Sequence, residues 1–541
     1  MKITEELCVR IRQRYLLVLM SMIGLMLTTL NSLTFSLLLG KLMYKKRDRR
    51  WDEIVCPPVV TLDHHPTGYE EFDWGKEMQL YIIAAWSVGY VMGRFPSGLL
   101  ANKLGGKSLY GYSVFITGVC ALLTPLCARS SPYIIMANRV CSGIFASALY
   151  PCLAWFAAHW FPRREMGFMI SLTLAGFPLG CMVTFPFSHK MYKICNKWAS
   201  VYYAMGGMTT VWAYLWQAYI WDDPFIHPYI SRGELEFLTD EIYMYAYDTE
   251  LQPGWKWPWK SILTSRALFT LAVAEIGYSW IRNFATIVLP NLYFPDIHNH
   301  DFINNQTLGM LVYAMMALAL LAAGVTRDKL ISNRRFNATN IIKTYYGTGC
   351  VLSSICLLFL IYSKCNLTTV FIWYIAAMIF IGIGYSAWID ACVALAPNFA
   401  PTNIAITGVF GNVGMPLQVL IESHLSSNGS LEDWKLLTYI NAAFALFPMV
   451  VFLKYGTCNI QRWNAPIQKT WHAIDYEKPE GEKSKKPGTN QDLGDVKEAE
   501  KPVQEMQKRN DNLATPSSQT RTVEIQARRS SELINKSEIQ I

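Results

Sequence analysis

Five charged side chains, Arg94, Arg139, Glu275, Arg282 and Asp390, lie inside long apolar stretches of this chain. A charge at the middle of a lipid bilayer costs roughly 2.5 kcal/mol or more, so one that persists there pairs with another charge, lines a watery path or meets a ligand. Arg282 lies near the middle of its stretch, too deep to snorkel readily, and is read as an anion contact. Arg139 lies nearer an end and is read as a second anion contact, with snorkelling to the headgroups as the structural alternative. Glu275 and Arg282 are separated by two helical turns, roughly 10 Å along an axis, too far for a direct pair but near enough to serve one cavity. Glu275 and Asp390 are the candidate ion-coupling groups; the alternative is pairing across helices, for instance of Asp390 with Arg94 or Arg282. Tyr278, Asn31 and Ser32 complete the candidate binding set, although membrane hydroxyls and amides more often bond to helix carbonyls and neighbouring helices. Nothing here has the spacing of a metal site or an enzyme constellation, and no cofactor is implied.

The elements that must hold these residues follow from hydropathy. Crossing a hydrocarbon core of about 30 Å takes about 20 mostly apolar residues, and the chain, 52% hydrophobic and only 16% charged, contains about twelve such stretches. They are Leu16–Leu39, Met78–Ala101, Ser108–Cys127, Tyr133–Trp160, Phe168–Phe187, Val201–Trp221, Leu268–Leu289, Leu308–Val325, Ile341–Tyr362, Val370–Ala396, Ile404–His424 and Leu437–Tyr455. The expected class is therefore an all-α membrane protein with two six-helix bundles, residues 1–221 and 267–456. A cytoplasmic connector, 222–266, joins them, and a polar tail, 457–541, is expected to be disordered. Lys and Arg in the short loops favour a cytoplasmic N-terminus, against the basic run Lys45–Arg50. The net charge of +8 is spread over loops and tail, which argues for a bilayer and against nucleic acid as the partner.

The two halves echo each other. Gly98, Asn102, Lys103, Gly105, Gly106 and Lys107 follow the second stretch, and Gly324, Asp328 and Lys329 follow the eighth, six helices later. Glycine permits close approach of helix ends, Asn or Asp can cap a neighbouring helix, and the basic residues anchor the turn at the cytoplasmic face. Repeated halves are a common plan of secondary transporters, with the substrate site between them.

That loop resembles the signature of the major facilitator superfamily, a fold of twelve helices in two bundles. Further patterns resemble solute carrier family 17, the anion transporters. They include Arg14-Tyr15, Gly89-Tyr90, Pro96-Ser97-Gly98, and Arg139 with Gly143, Pro151, Trp160, Pro162 and Glu165. Ala175-Gly176, Asp223-Pro224, His227-Pro228, Pro258-Trp259-Lys260, Ser279-Trp280 and Ala396-Pro397 continue the series. The resemblance implies a secondary active carrier of a small organic or inorganic anion, coupled to a proton or sodium and working by alternating access. It implies a multi-pass protein of the plasma membrane or of a vesicular or lysosomal membrane, and no enzyme. The chain also departs from the pattern: the family's first-helix Arg falls at Ser32, its fourth-helix Glu at Ser147, the second-helix His of the glutamate carriers at Ile83 and their seventh-helix Arg at Tyr278. These losses leave two alternatives, a carrier of a neutral or cationic solute and a transport-inactive receptor or scaffold.

Overall fold

A backbone in lipid has no water to bond with and must satisfy its own polar groups, so apolar runs of bilayer length become helices. The computed structural model describes residues 12–42, 72, 74–195, 197–246, 257–293, 306–333, 336–363, 366–425 and 431–464. Twelve long helices stand among the described residues. In the first half they are α1 (Gln13–Leu42), α2 (Lys76–Leu104), α3 (Gly106–Ser130), α4 (Pro132–Trp160), α5 (Met166–Cys195) and α6 (Trp198–Tyr219). In the second they are α7 (Arg266–Asn283, continued as a π-helix over Phe284–Tyr293), α8 (Gln306–Ser332), α9 (Ala338–Tyr362), α10 (Leu367–Leu395), α11 (Ala400–Leu425) and α12 (Leu431–Tyr455). Hydropathy sets most ends to within a turn; α5, α8 and α12 run further because their last or first turns are polar and extend past the apolar core.

Three of these helices are interrupted in mid-course, α4 at Ser147–Ala148, α5 at Ala175 and α10 at Ser386, while α7 widens into its π segment. Proline explains two of the irregularities. Pro151 lacks an N–H, so the Ser147 carbonyl one turn earlier has no helical partner; Pro290, in the π segment where each N–H bonds five residues back, does the same to Ala285. Both carbonyls find side-chain donors instead, Arg94 Nη1 at 2.8 Å and Tyr374 Oη at 2.8 Å.

The halves meet along two seams, α2 with α11 and α5 with α8. Small residues set the spacing. A Cβ on Gly98 would run into the Pro401 carbonyl and Ala405 of α11, and one on Gly324 into Ser171 and the Gly167 carbonyl of α5. Between the halves stands a short helix over Arg232–Ala246. Its Glu234 accepts from the backbone N–H of Gln13 (3.0 Å) and Arg14 (3.2 Å), which ties the connector to the start of α1. The side of the bundle that carries this helix is called the connector side below.

One boundary differs from expectation. Residues 457–464, assigned to the disordered tail, are folded onto the bundle: Gln461 N–H donates to the Leu395 carbonyl at 2.9 Å, Asn464 pairs with Asn398, and Trp463 packs on Phe399. The rest of the tail, the basic run after α1 and the loop histidines His64, His65, His298 and His300 lie outside the described residues.

Candidate functional site

The three interrupted helices and the π segment of α7 all contribute to one central cavity. Thr28, Thr29 and Ser32 of α1, Trp86 and Tyr90 of α2, and Tyr150 just past the α4 break form its first-half wall. Arg282, Asn283 and Thr286 of α7, Tyr385 before the α10 break and Asn412 of α11 form the other. Broken helices place unpaired backbone groups and side chains at mid-membrane, as carriers require at a substrate site.

Arg282 is the cation of this cavity. Its guanidinium stands 5.1 Å from the centroid of the Tyr385 ring, and no hydrogen bond or ion pair reaches that guanidinium among the described residues. A buried guanidinium with no carboxylate bonded to it is an open anion site, since it keeps its donors while the acid nearest along its helix, Glu275, stands two turns away. Aromatic faces and neutral donors and acceptors surround it. Tyr150 and Tyr385, one from each half, join their hydroxyls at 2.5 Å across the cavity.

Ser32 lines the cavity as expected, with its hydroxyl donating back to the Thr29 carbonyl. Arg139 does not line it; its Nη1 points to the Ser32 carbonyl at 3.4 Å and its guanidinium lies 4.5 Å from the Phe35 ring, packed against α1. Asn31 is turned the other way, donating to Thr209 of α6 at 3.1 Å. Tyr278, four residues from Arg282 on the same helix, also leaves the cavity and gives its hydroxyl to the Ile381 carbonyl of α10. Asn31 and Tyr278 therefore join helices to one another instead of contacting a substrate in this state.

The coupling candidates separate as well. Glu275 is fully buried one layer behind the cavity wall; Oε2 accepts from Tyr346 Oη at 2.5 Å, and Oε1 has no partner. Asp390 pairs with neither Arg94 nor Arg282. It forms an ion pair with Arg327 of α8, whose Nη1 also donates to Ser386 Oγ at 2.9 Å. Sequence reading passed over Arg327 because it sits beside the loop motif, where a basic residue looks solvated; it is wholly buried. Asp390 is thus the counter-charge of a buried arginine away from the cavity, which removes the ground for placing it beside Glu275. Among the cavity residues, Tyr385, Asn283 and Asn412 were missed, being uncharged and of types common in helix contacts; the only local sign was the nearby helix breaks.

The repeated motif acts at the seams. Asn102 donates to Thr402 Oγ1 in the first turn of α11 at 2.8 Å, and Asp328 accepts from the N–H groups of Gly167 (2.9 Å) and Phe168 (2.7 Å) in the first turn of α5. Each half thereby caps or binds a helix start of the other, on the connector side. Gly105 holds φ at +82°, and a Cβ there would meet the carboxylate of Asp222, which accepts from the Lys107 N–H at 2.6 Å. Gly106 packs against Trp155 and Phe156, while Lys103 and Lys329 are exposed. Lys107 Nζ lies 4.7 Å from the Trp221 ring. Among the described residues no cluster suited to a metal ion is present.

Comparison with known proteins adds what geometry leaves open. The family model described as Major Facilitator Superfamily matches residues 16–417. Sialin of Homo sapiens is 24% identical over 411 residues, covering 75% of this chain and 81% of that protein. A putative inorganic phosphate cotransporter of Drosophila melanogaster is 26% identical, covering 73% and 75%, and vesicular glutamate transporter 2 of Mus musculus is 22% identical, covering 73% and 68%. Among solved structures, the proton:xylose symporter XylE bound to 6-bromo-6-deoxy-D-glucose superposes with a TM-score of 0.56 at 12% identity, over 82% of this chain and 95% of XylE. The fold is therefore shared across a wide sequence distance, and the protein is an integral, multi-pass membrane protein. The chain belongs to the Major Facilitator Superfamily, in which it is a divergent relative of the solute carrier family 17 proteins.

Proposed function

We propose that this protein is a secondary active carrier of a small anion, organic or inorganic, which it binds between its two halves and exposes to each side of the membrane in turn. The observation that carries the reading is Arg282, a buried guanidinium in the central cavity with an aromatic face and no acidic partner among the described residues. Relatives named for sialin, phosphate cotransport and glutamate transport support an anionic cargo. The chain lacks the family's first-helix Arg at Ser32, and Arg282 offers the positive charge from the opposite half.

A proton is the coupling ion in this reading. Glu275 is the acid, held by Tyr346 two turns from Arg282, with one carboxyl oxygen unpartnered. A bare carboxylate buried without a bonded cation is costly, and a proton removes the charge. Arrival and departure of that proton would change the field at Arg282 along the same helix.

The test is uptake by purified full-length protein in liposomes, with phosphate, urate, sialate, glutamate and nucleotide as cargo under imposed pH and sodium gradients. The expected result is gradient-driven uptake of one anion, lowered about 10- to 100-fold by Arg282→Gln, the loss expected for hydrogen bonds to a charged group. Uptake of none of them by folded protein would overturn the anion reading and favour a neutral or cationic cargo or a non-transporting role.

A further inference from the structure

Arg94 is a further buried cation with no bonded acid among the described residues, and no element of the proposed function uses it. It is 1% exposed, in α2, one turn nearer the connector side than Tyr90, which lines the cavity. Four residues of helix place it about 6 Å further along. Its Nη1 donates to the Ser147 carbonyl freed by Pro151, its guanidinium lies 4.9 Å from the Tyr150 ring and 5.7 Å from Trp388, and its Nε has no partner. No acidic residue pairs with it among the described residues. A guanidinium held by a carbonyl and ring faces, with Glu275 near but not bonded to it, keeps a donor available to an anion.

Between Arg94 and the cavity stand two phenols. Arg282 lies over Tyr385 on the cavity side, Arg94 lies over Tyr150, and the two hydroxyls are bonded to each other at 2.5 Å. Tyr150 belongs to the first half and Tyr385 to the second, so any motion that parts the halves at this level breaks that bond. We propose that the Tyr150–Tyr385 pair is the inner gate of the cavity, and that Arg94 behind it is the second guanidinium an anion meets once the gate opens toward the connector side. The gate stands on geometry alone; the role of Arg94 rests on the anion reading above.

The test uses charged thiol reagents and so needs no identified substrate. In the full-length protein, Cys181→Ser removes the one cysteine lining the cavity among the described residues, and Ser32→Cys installs a reporter there. In sealed vesicles, membrane-impermeant sulfonatoethyl (anionic) and trimethylammonioethyl (cationic) methanethiosulfonates are applied from the connector side, and labelling at residue 32 is read by mass spectrometry. Tyr150→Phe and Tyr385→Phe, each the loss of one oxygen, are expected to speed labelling by both reagents about 5- to 10-fold. In the Tyr385→Phe background, Arg94→Gln is expected to slow the anionic reagent several-fold relative to the cationic one, and Arg94→Lys to restore the ratio. Arg94→Met, which keeps an unbranched stem among the rings, replaces Arg94→Gln if that variant does not fold. Connector-side rates unchanged in both Tyr→Phe variants would overturn the gate. Equal effects of Arg94→Gln on the two reagents would overturn the anion contact and leave Arg94 a helix staple. The anion reading is checked separately: from the opposite side, Arg282→Gln should lower the anionic-to-cationic ratio whether or not Arg94 matters.

Discussion

At the scale of single residues, the buried charges divide by what they touch. Glu275 has a single hydrogen-bond donor, Tyr346, and no ion pair among the described residues. Glu275→Gln is therefore expected to abolish accumulation driven by a pH gradient while exchange of anion across the membrane survives, measured as uptake with and without anion inside the vesicles. Loss of both activities would instead make Glu275 a part of the binding site or the scaffold. Asp390 should behave differently. Removing its charge strands the wholly buried Arg327, and breaking a buried pair on one side costs about 3–5 kcal/mol, so Asp390→Asn is expected to lower thermal stability and folded yield with no selective loss of pH coupling. The charged candidates were visible in the sequence because apolar surroundings make a charge conspicuous. Tyr278 and Asn31 misled because a helix has several faces, and only the neighbours decide which face meets the cavity: one neighbour is the Ile381 carbonyl, the other Thr209.

At the scale of elements, helix starts and helix breaks carry the working geometry. Asp328 binds two of the N–H groups that a helix start leaves unpaired, and it does so across the seam between halves. Asp328→Ala is expected to weaken the state closed on the connector side by about 1–2 kcal/mol, roughly a 5- to 30-fold shift in population. Spin labels at the exposed positions Lys103 and Lys329, at the ends of α2 and α8, would then gain a longer distance component. Gly324→Val is expected to move the same distribution further, since its side chain would be driven into Ser171 and the Gly167 carbonyl. An unchanged distribution in both variants would mean that this seam does not control opening. The repeated loop residues pointed to this role from the sequence, whereas their partners, Thr402 and the start of α5, lie in the opposite half and are found only by folding the chain.

At the scale of the whole molecule, the connector is bonded to the first half. Arg14 and Tyr15 of α1 reach Glu165 at 3.3 and 3.0 Å, and Arg164 pairs with Glu241 of the connector helix at 2.9 Å. His227, in the connector, is buried against Trp160 and Trp221, and its Nδ1 accepts the Tyr229 N–H at 3.1 Å. Burial, with a smaller effect of the Lys107 charge, holds its pKa down to about 4. An unfolded histidine titrates near 6.5. The folded value is the lower one, so the unfolded state binds more protons between these values, and stability present above about pH 6.5 is lost as pH falls toward about 4. Thermal unfolding of the detergent-solubilised protein is expected to show this fall, and His227→Gln to flatten it. An equal slope in the variant would place the acid sensitivity elsewhere.

Sequence alone determined the solvent and the all-helical plan and made Arg282 conspicuous, because each depends on composition along the chain: lipid demands about 20 apolar residues per crossing and makes a stray charge costly. It also carried the signs of the breaks in Pro151 and Pro290, since a missing N–H is a property of the residue itself. Tertiary structure alone decided that Asp390 belongs to Arg327, that Arg139 packs on α1, and that Tyr150 meets Tyr385. These contacts join residues on different helices, far apart in the chain. In an apolar bundle nearly every face looks alike, so hydropathy cannot say which face turns inward; that is set by where glycines let helices approach and where buried polar groups find partners.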